Sequence, residues 1–518
     1  MGNIVVLFAG FSMDSASNNF CLEKSFGGKS SVELALDWAA SNGDRTFILS
    51  LPENSSALSS LAPDCELVLG SSWTASKIAS CIADCCEKAG VKIALYSWID
   101  LPFLNSGVSR RLLDMHSEYA AEYTFADGFP YGFSPEVIDS GTASIVSRIV
   151  SEKDLPPTRT SIFDAMKSDI NSFEIETLVS DVDYRPLRIS LESSSKGSHL
   201  SCLSLFESLH GRNASSLEIG EICSLAAENP SVIRNIPHFF DIQITSRTNH
   251  TPLYSPEKAG IGVDGLPDMS LEDFGRVVDK IRSFSPDAVV SLSAFGEPTL
   301  HPRFVDFVRV LAGSGLRILV ETDGIMVDSA LVDELAGCIS SSKSEIDWIV
   351  DLDAADSSLY SKVRNAPESD FCKAVAAVTC LSESFKGHVY PQMTRMNANE
   401  ENLEKFFRYW KNPESPSGGK LIIKKYDSLC GKLPDEKPAD LSPLRRIPCW
   451  HLARDFVILS DGSVPKCRSR GKMDVVGNAF ADSLDSVWES SAASYREHVR
   501  GEYGGICGGC DEFYTFSF

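Results

Sequence analysis

The sequence has no run of about 18 apolar residues, the length a membrane-spanning helix needs, so membrane insertion is not expected. Its apolar start, Ile4 to Phe8, is too short for a secretory signal core and has no basic residues before it. It reads as a first buried strand, and the expected location is cytoplasmic. Positive charge is also scarce: 48 Lys and Arg stand against 71 Asp and Glu, a net charge of −23. That sign repels phosphate backbones and anionic lipid, which argues against general nucleic-acid or membrane-surface binding. A local basic pocket for a phosphorylated small molecule remains compatible with it. A disulfide framework is missing too. The 15 cysteines are odd in number and mostly single among apolar residues, which points to free thiols and metal ligands. No internal repeat stands out.

What is present is ample. The chain has 518 residues, 43% hydrophobic and 23% charged. That suits a soluble protein of about three or four domains. Over residues 1–150, strand-like runs (Ile4–Phe8, Thr46–Leu51, Val91–Tyr96) alternate with helical patterns (Ser31–Ala40, Ala75–Lys88, Val108–Tyr119). This rhythm predicts a mainly parallel sheet with covering helices. Residues 151–235 hold serine-rich patches and one helical pattern, Leu217–Glu228, and read as a connecting segment. A second α/β rhythm fills 236–440, with strand candidates beginning at Phe239, Ala288, Arg317, Trp348, His388 and Leu421. Six β–α steps over about 190 residues fit a partial barrel better than a full eight-fold one of about 250. Residues 427–442 look like a linker, and 441–518 form a small unit containing cysteines.

Four of those cysteines carry chemistry. Cys449 and Cys467 flank a stretch with a strand, an Asp461-Gly462 turn and a return, which is a hairpin pattern. Cys507-Gly508-Gly509-Cys510 then supplies two thiols from one loop. Four thiolates suit tetrahedral Zn²⁺ or a four-iron, four-sulfur cluster, and a metal would stabilise a unit with little core of its own. Pro448-Cys449-Trp450, the segment Val457 to Cys467, Val476-Gly477-Asn478, Ser483-Leu484, Val487-Trp488 and the Cys507/Cys510 pair together resemble the SPASM domain. SPASM domains sit behind radical S-adenosylmethionine (SAM) barrels and bind auxiliary iron–sulfur clusters. With four cysteines instead of the fuller seven, the resemblance implies one [4Fe–4S] cluster on Cys449, Cys467, Cys507 and Cys510, with zinc as the alternative.

Radical SAM barrels open with Cys-x-x-x-Cys-x-x-Cys after their first strand. The corresponding positions here are Thr248, Pro252 and Ser255. Proline has no donor atom and neutral hydroxyls are poor iron ligands, so reductive SAM cleavage is not expected. Other barrel features resemble the family. Gly296, Glu297 and Pro298 match its Gly-Glu-Pro strand end, which implies SAM contact. Glu321-Thr322-Asp323-Gly324, and Asp351-Leu352-Asp353-Ala354 with Tyr360 and Arg364, match later segments.

In the first region, Gly28 and Lys29 precede a helix, where free backbone amides make an anion site for a nucleotide phosphate. The segment Ser97 to Leu104 and the stretch Ala121 to Ile138 resemble sugar nucleotidyltransferases, with a GT-A or Rossmann-like sheet. There the residue matching Asp100 binds Mg²⁺, so Asp100 is the catalytic candidate. Cys81, Cys85 and Cys86 lie on a helical pattern and read as packing residues.

The whole resembles spirochaete-type SPASM proteins. That implies an iron–sulfur protein with a degenerate radical SAM barrel, serving binding, scaffolding or electron transfer in modification of a peptide or glycan. Two alternatives stand beside it: a Mg²⁺-dependent sugar nucleotidyltransferase, and a zinc-held interaction protein.

Overall fold

The computed structural model describes residues 2–13, 19–150 and 156–515, and divides into two units, Met1–Asn235 and Ile236–Phe518. Unit 1 is built on seven strands: β1 (Asn3–Ala9), β2 (Arg45–Ser50), β3 (Glu66–Leu69), β4 (Ile93–Trp98), β5 (Tyr123–Asp127), β6 (Glu136–Asp139) and β7 (Ile175–Val179). Their order is β3-β2-β1-β4-β6-β5-β7. The first four run parallel, and β6 is reversed against both β4 and β5.

Side chains of β1 alternate between the two faces. Val5, Leu7 and Ala9 enter one core, and Ile4, Val6 and Phe8 the other, all with no exposed surface. Both faces are buried because helices cover both, which is why β1 reads as a continuous apolar run. The helix Ala75–Ala89 contributes Ile78, Ile82, Cys85 and Cys86 to one of these cores, with Cys81 at its margin, so these thiols are packing residues.

Residues 151–235 are not a connecting segment. They supply β7 to the sheet edge, and the helices Lys196–Ser208 and Ile219–Glu228 add Cys202, Leu205, Ile222 and Cys223 to the core. The first of these helices hides its pattern because His199 and Ser201 are buried beside apolar neighbours. Asn105 fastens the region, donating to the carbonyls of Ala214 and Leu217.

Unit 2 holds a curled parallel sheet of β8 (Phe239–Ile242), β9 (Val289–Ser291), β10 (Arg317–Thr322), β11 (Ile346–Asp351), β12 (Val389–Arg395), β13 (Ile422–Lys425) and β14 (Asp455–Ile458). The order β13-β12-β11-β10-β9-β8-β14 is a half-barrel of six steps, with one further strand beside its first. Helices such as Leu271–Phe284 and Phe304–Ser314 pack on its outer face.

That seventh strand corrects two expectations. Residues 441–518 are not a separate unit, since β14 belongs to the barrel sheet and Leu484, Val487 and Trp488 lie in its core. Nor do the two arms around Asp461-Gly462 pair as a hairpin. The turn exists, with Gly462 at φ +82° and its N–H on the Leu459 carbonyl. Beyond one bond between the arms, the Leu459 N–H on the Ser463 carbonyl, the second arm, β15 (Ser463–Pro465), pairs instead with β16 (Val475–Asn478). Among the described residues, no helix is long and apolar enough to cross a membrane.

Candidate metal centre and barrel mouth

Four short elements bring the cysteines together. Cys449 precedes the helix Trp450–Arg454, and its backbone N–H donates to Nδ1 of His498 at 3.3 Å. Cys467 follows β15. Cys507 lies in the turn Gly505–Gly509, closed by the Cys510 N–H on the Cys507 carbonyl at 3.2 Å. Arg446 donates to the carbonyls of Cys507 and Gly508, its guanidinium over the rings of Tyr503 and Phe513.

All four thiols are partly buried, and each feels its neighbours. Burial, with Cys510 and Cys507 adding to it, pushes Cys449 up to about 12. Burial and then Cys449, Cys510 and Cys507 raise Cys467. Cys507 is raised by burial and Cys510, against Arg470, Arg446 and Lys466. Such a group has two states: neutral thiols, or thiolates held by a metal that releases their protons. Among the described residues, no three His, Cys, Asp or Glu side chains are gathered as tightly as a bound ion requires. The sulfurs are therefore neighbours rather than a closed cage. The donor set, four soft sulfurs with cations around Cys507, fits an iron–sulfur cluster and equally zinc.

The loop after β8, which holds Thr248, Pro252 and Ser255, is fastened to the barrel wall. Tyr254 donates to Asp353 at 2.6 Å, and Arg364 donates to the same carboxylate at 2.7 Å. His250 pairs with Asp370 at 3.0 Å, Asn249 donates to Asp323, and the Leu253 N–H reaches the Val363 carbonyl. The Pro252 carbonyl accepts from Ser255 N–H and Lys258 Nζ. Asp353 holds φ +58°, a conformation that costs a non-glycine residue about 1–3 kcal/mol and persists where surroundings enforce it.

Gly296, Glu297 and Pro298 form a self-satisfied strand end. A Cβ on Gly296 (φ +79°) would stand 2.2 Å from the Thr245 carbonyl oxygen, so only glycine fits. Glu297 Oε1 accepts from Thr299 N–H and Thr322 Oγ1, and Oε2 from Asp323 N–H at 2.7 Å. Pro298 begins the turn Pro298–Leu300. Both carboxylate oxygens are taken by the protein itself, so a SAM amino group would compete with these bonds.

Burial, with the Asp323 carboxylate beside it, pushes Glu297 up to about 8, and burial with Glu321 pushes Asp351 to about 7. Each therefore holds a proton in the folded state that the unfolded chain releases near its ordinary value. Their stabilising contribution is full in acid, and is lost as pH rises through the raised values. Unit 2 should thus lose stability on their account between about pH 5 and about pH 8, and Glu297→Gln should flatten that slope in urea unfolding. An unchanged slope would refute the assignment.

In unit 1, Asp100 follows β4 at the point where the strand order reverses, where open α/β sheets place their ligands. Its carboxylate is fully buried and already taken. Arg159 Nη1 and Nη2 donate to its two oxygens at 2.7 and 2.6 Å. The guanidinium lies 3.9 Å above the Trp98 ring and also pairs with Glu192 at 2.8 Å. Mg²⁺ does not fit Asp100 in this arrangement, because a resident cation holds the position. The Gly28–Lys29 turn is likewise self-contained. Ser30 and Glu33 form a capping box that uses helix-start amides, and Lys29 pairs with Asp37.

Four residues escape sequence reading. Arg159 carries no motif, and His250 and Tyr254 are masked by the missing cysteines. Cys430 lies in the supposed linker, yet the neighbouring Cys510, then burial and Cys467, raise its thiol. A thiol count near the matched segment is the one signal that would have found it.

The family model for SPASM, described as an iron–sulfur cluster-binding domain, matches residues 449–511. An uncharacterized protein of Treponema pallidum (strain Nichols) is 38% identical over 370 residues, 69% of this chain and 98% of that one. Among solved structures, Streptococcus suis SuiB bound to precursor peptide SuiA is similar at 14% identity and TM-score 0.41, over 52% of this chain and 70% of that chain. A cytidylyltransferase from Leptospira borgpetersenii serovar Hardjo-bovis (strain JB197) is similar at 15% identity and TM-score 0.39, over 45% of this chain and 98% of that one.

Proposed function

Because the chain belongs to one family with the Treponema pallidum protein and carries a SPASM iron–sulfur domain, we propose that it is an iron–sulfur protein of the radical SAM/SPASM type. On this reading its single [4Fe–4S] cluster sits on Cys449, Cys467, Cys507 and Cys510, and its barrel does not cleave SAM. What supports it is the iron–sulfur domain match over residues 449–511, which contains all four thiols, while Thr248, Pro252 and Ser255 follow the first barrel strand. When bound, the cluster supplies one-electron transfer.

The chain's own residues do the rest. Arg446 holds the Cys507 turn by its carbonyls, and the Cys449 N–H is fixed by His498. Arg468, next to Cys467, reaches into the barrel, donates to the Ser293 carbonyl at 3.1 Å and stands 3.5 Å from Asp241. One residue therefore joins the centre to the barrel interior. There, Lys424 pairs with Glu321, and Gln392 bridges Glu321 and Asp351. This charged lining suits a polar segment of a peptide or glycan, which the protein would bind or supply with electrons. For unit 1 the reading is a nucleotidyltransferase-like sheet whose metal position Arg159 has taken over.

Iron, zinc and acid-labile sulfide on anaerobically purified protein test the proposal. About four irons and four sulfides per chain support it. One zinc without iron would replace it by a zinc-held scaffold, and about eight irons would mean a second cluster on other ligands. Restoring the triad as Thr248→Cys/Pro252→Cys/Ser255→Cys is expected to add no iron and no 5′-deoxyadenosine formation. The loop remains fastened by Tyr254, His250 and Leu253. A gain of about four irons in that variant would show the fastening to be weak.

A further inference from the structure

We propose that the interior of the unit 2 half-barrel binds a primary alkylammonium group, with Asp241, Glu321 and Asp351 as its acceptors; this rests on the reading above that a polar ligand enters the barrel. Strand alternation places these residues. Phe239, Leu319 and Ile349 form a small buried cluster, with Val289 and Ile422 packed at its margin. The opposite face of the same sheet carries Phe240, Val290, Ile318 and Trp348 into the large core, together with Phe274 and Val277 of the helix Leu271–Phe284. The small cluster therefore lies on the inner face. Two residues beyond its members, on that same face, stand Asp241, Ser291, Glu321, Asp351 and Lys424. Gln392 of β12 joins them by donating to Glu321 at 2.9 Å and to Asp351 at 2.7 Å. An apolar floor is thus overlaid by a polar ring.

The ring is short of positive charge. Lys424 stands 3.0 Å from Glu321, and Arg468 stands 3.5 Å from Asp241. Asp351 lies 3.5 Å from Arg364, which is closer to Asp353, at 2.7 Å. Asp241, Glu321 and Asp351 therefore share Lys424 and Arg468, one cation too few, since Arg364 is matched by Asp353. Hydrogen bonding is short as well. Among the described residues, Asp241 Oδ1 and Ser291 Oγ have no hydrogen-bond partner, and both residues are buried side by side in the β8–β9 register. A hydroxyl turned from Ser291 would fill only one of about four acceptor sites on the Asp241 carboxylate. A buried carboxylate left short in this way costs free energy that an incoming charged donor returns. An ammonium brings one positive charge and three N–H donors, which is the complement of this ring. Access narrows the class further. Lys424 and Arg468 are 37% and 34% exposed, and Asp241 behind them only 4%. A slender alkyl stem carries an ammonium past them to that depth, whereas an amine on a sugar ring would have to bring the ring with it.

Isothermal titration calorimetry on the full chain tests this, with pentylamine as the free amine and Nα-acetyl-lysine methylamide as the peptide side chain. Titrations are run at about pH 8, where Asp351, raised by burial to about 7, is ionised. The expected result is saturable binding of one or both amines and none of pentanol, which has the stem without the charge. The tighter amine identifies the source. Asp241→Asn should weaken binding about tenfold or more. Lys424→Met should tighten it about tenfold, because the ligand then becomes the cation beside Glu321. A variant that merely damages the fold does not tighten binding, so this sign keeps the test decisive if Asp241→Asn fails to fold. Pentanol binding as well as pentylamine, glucosamine binding more tightly than both amines, or Lys424→Met weakening the amine overturns the inference. Iron is measured on the same samples. Amine binding by iron-free protein supports this inference while removing the iron–sulfur reading. Iron-loaded protein that binds neither amine overturns the inference and leaves that reading in place.

Discussion

Replacing Cys507 and Cys510 together by serine is expected to take the iron content from about four per chain to about zero, and to bleach the visible absorption. Both thiols come from one turn whose backbone is closed on itself and clamped by Arg446. Losing that turn removes half of the sulfur donors at once, and hydroxyls do not replace them. The structural damage should be local. Structural metal sites supply apparent binding energies of about 10–16 kcal/mol in small domains, but here the domain also leans on the barrel. Phe456, Leu484, Val487 and Trp488 lie in the large core of unit 2, with the rings of Phe456 and Trp488 6.2 Å apart. Hydrogen exchange should therefore accelerate at residues 449–454 and 498–515 while β14 stays protected. Iron retained in the double variant would place the cluster elsewhere.

The second large effect is expected at Arg159. Asp100 has no exposed surface, and its two oxygens are both held by that guanidinium. Arg159→Ala leaves a buried carboxylate without its partner, which costs about 3–5 kcal/mol in comparable sites. It also removes the cation from the face of Trp98. The double variant Asp100→Leu/Arg159→Leu, which takes away both charges, should recover most of that loss. Urea unfolding of unit 1 reads both. A single variant as stable as wild type would mean that Asp100 finds another partner, and would reopen the crevice to a metal ion.

What could be read from the sequence divides along physical lines. The alternating elements of both sheets were legible because helices cover both faces of the unit 1 sheet and the outer face of the unit 2 half-barrel, so the strands are rich in apolar residues and each helix is periodic. Gly462, Asn478 and Trp488 were legible as a pattern, and the structure supplies the reasons. Gly462 turns the chain against Phe480, Asn478 donates to the Asp461 carbonyl, and Trp488 fills the core. Residues 151–235 were not legible, because their helices bury serine and histidine and their strand is short. Arg159, His250, Tyr254 and Cys430 were not legible for another reason. Each acts on a partner far away in sequence, and nothing local marks such a pair. The thiols Cys449, Cys467, Cys507 and Cys510 could be named from spacing, but spacing says nothing of the fifth sulfur beside them.

The strand pair β8–β14 joins residues more than two hundred positions apart in sequence. Until β14 is made, β8 is a free edge of a parallel sheet, with unpaired backbone groups and the apolar side chains Phe239, Phe240 and Ile242. During synthesis the barrel must therefore wait, half finished, for the segment that also brings Cys449 and Cys467. At about 5–20 residues per second that wait lasts many seconds, the interval in which such an edge can pair wrongly with a neighbouring chain. Yield of soluble protein should thus depend on how promptly the C-terminal strand arrives, whatever the supply of iron.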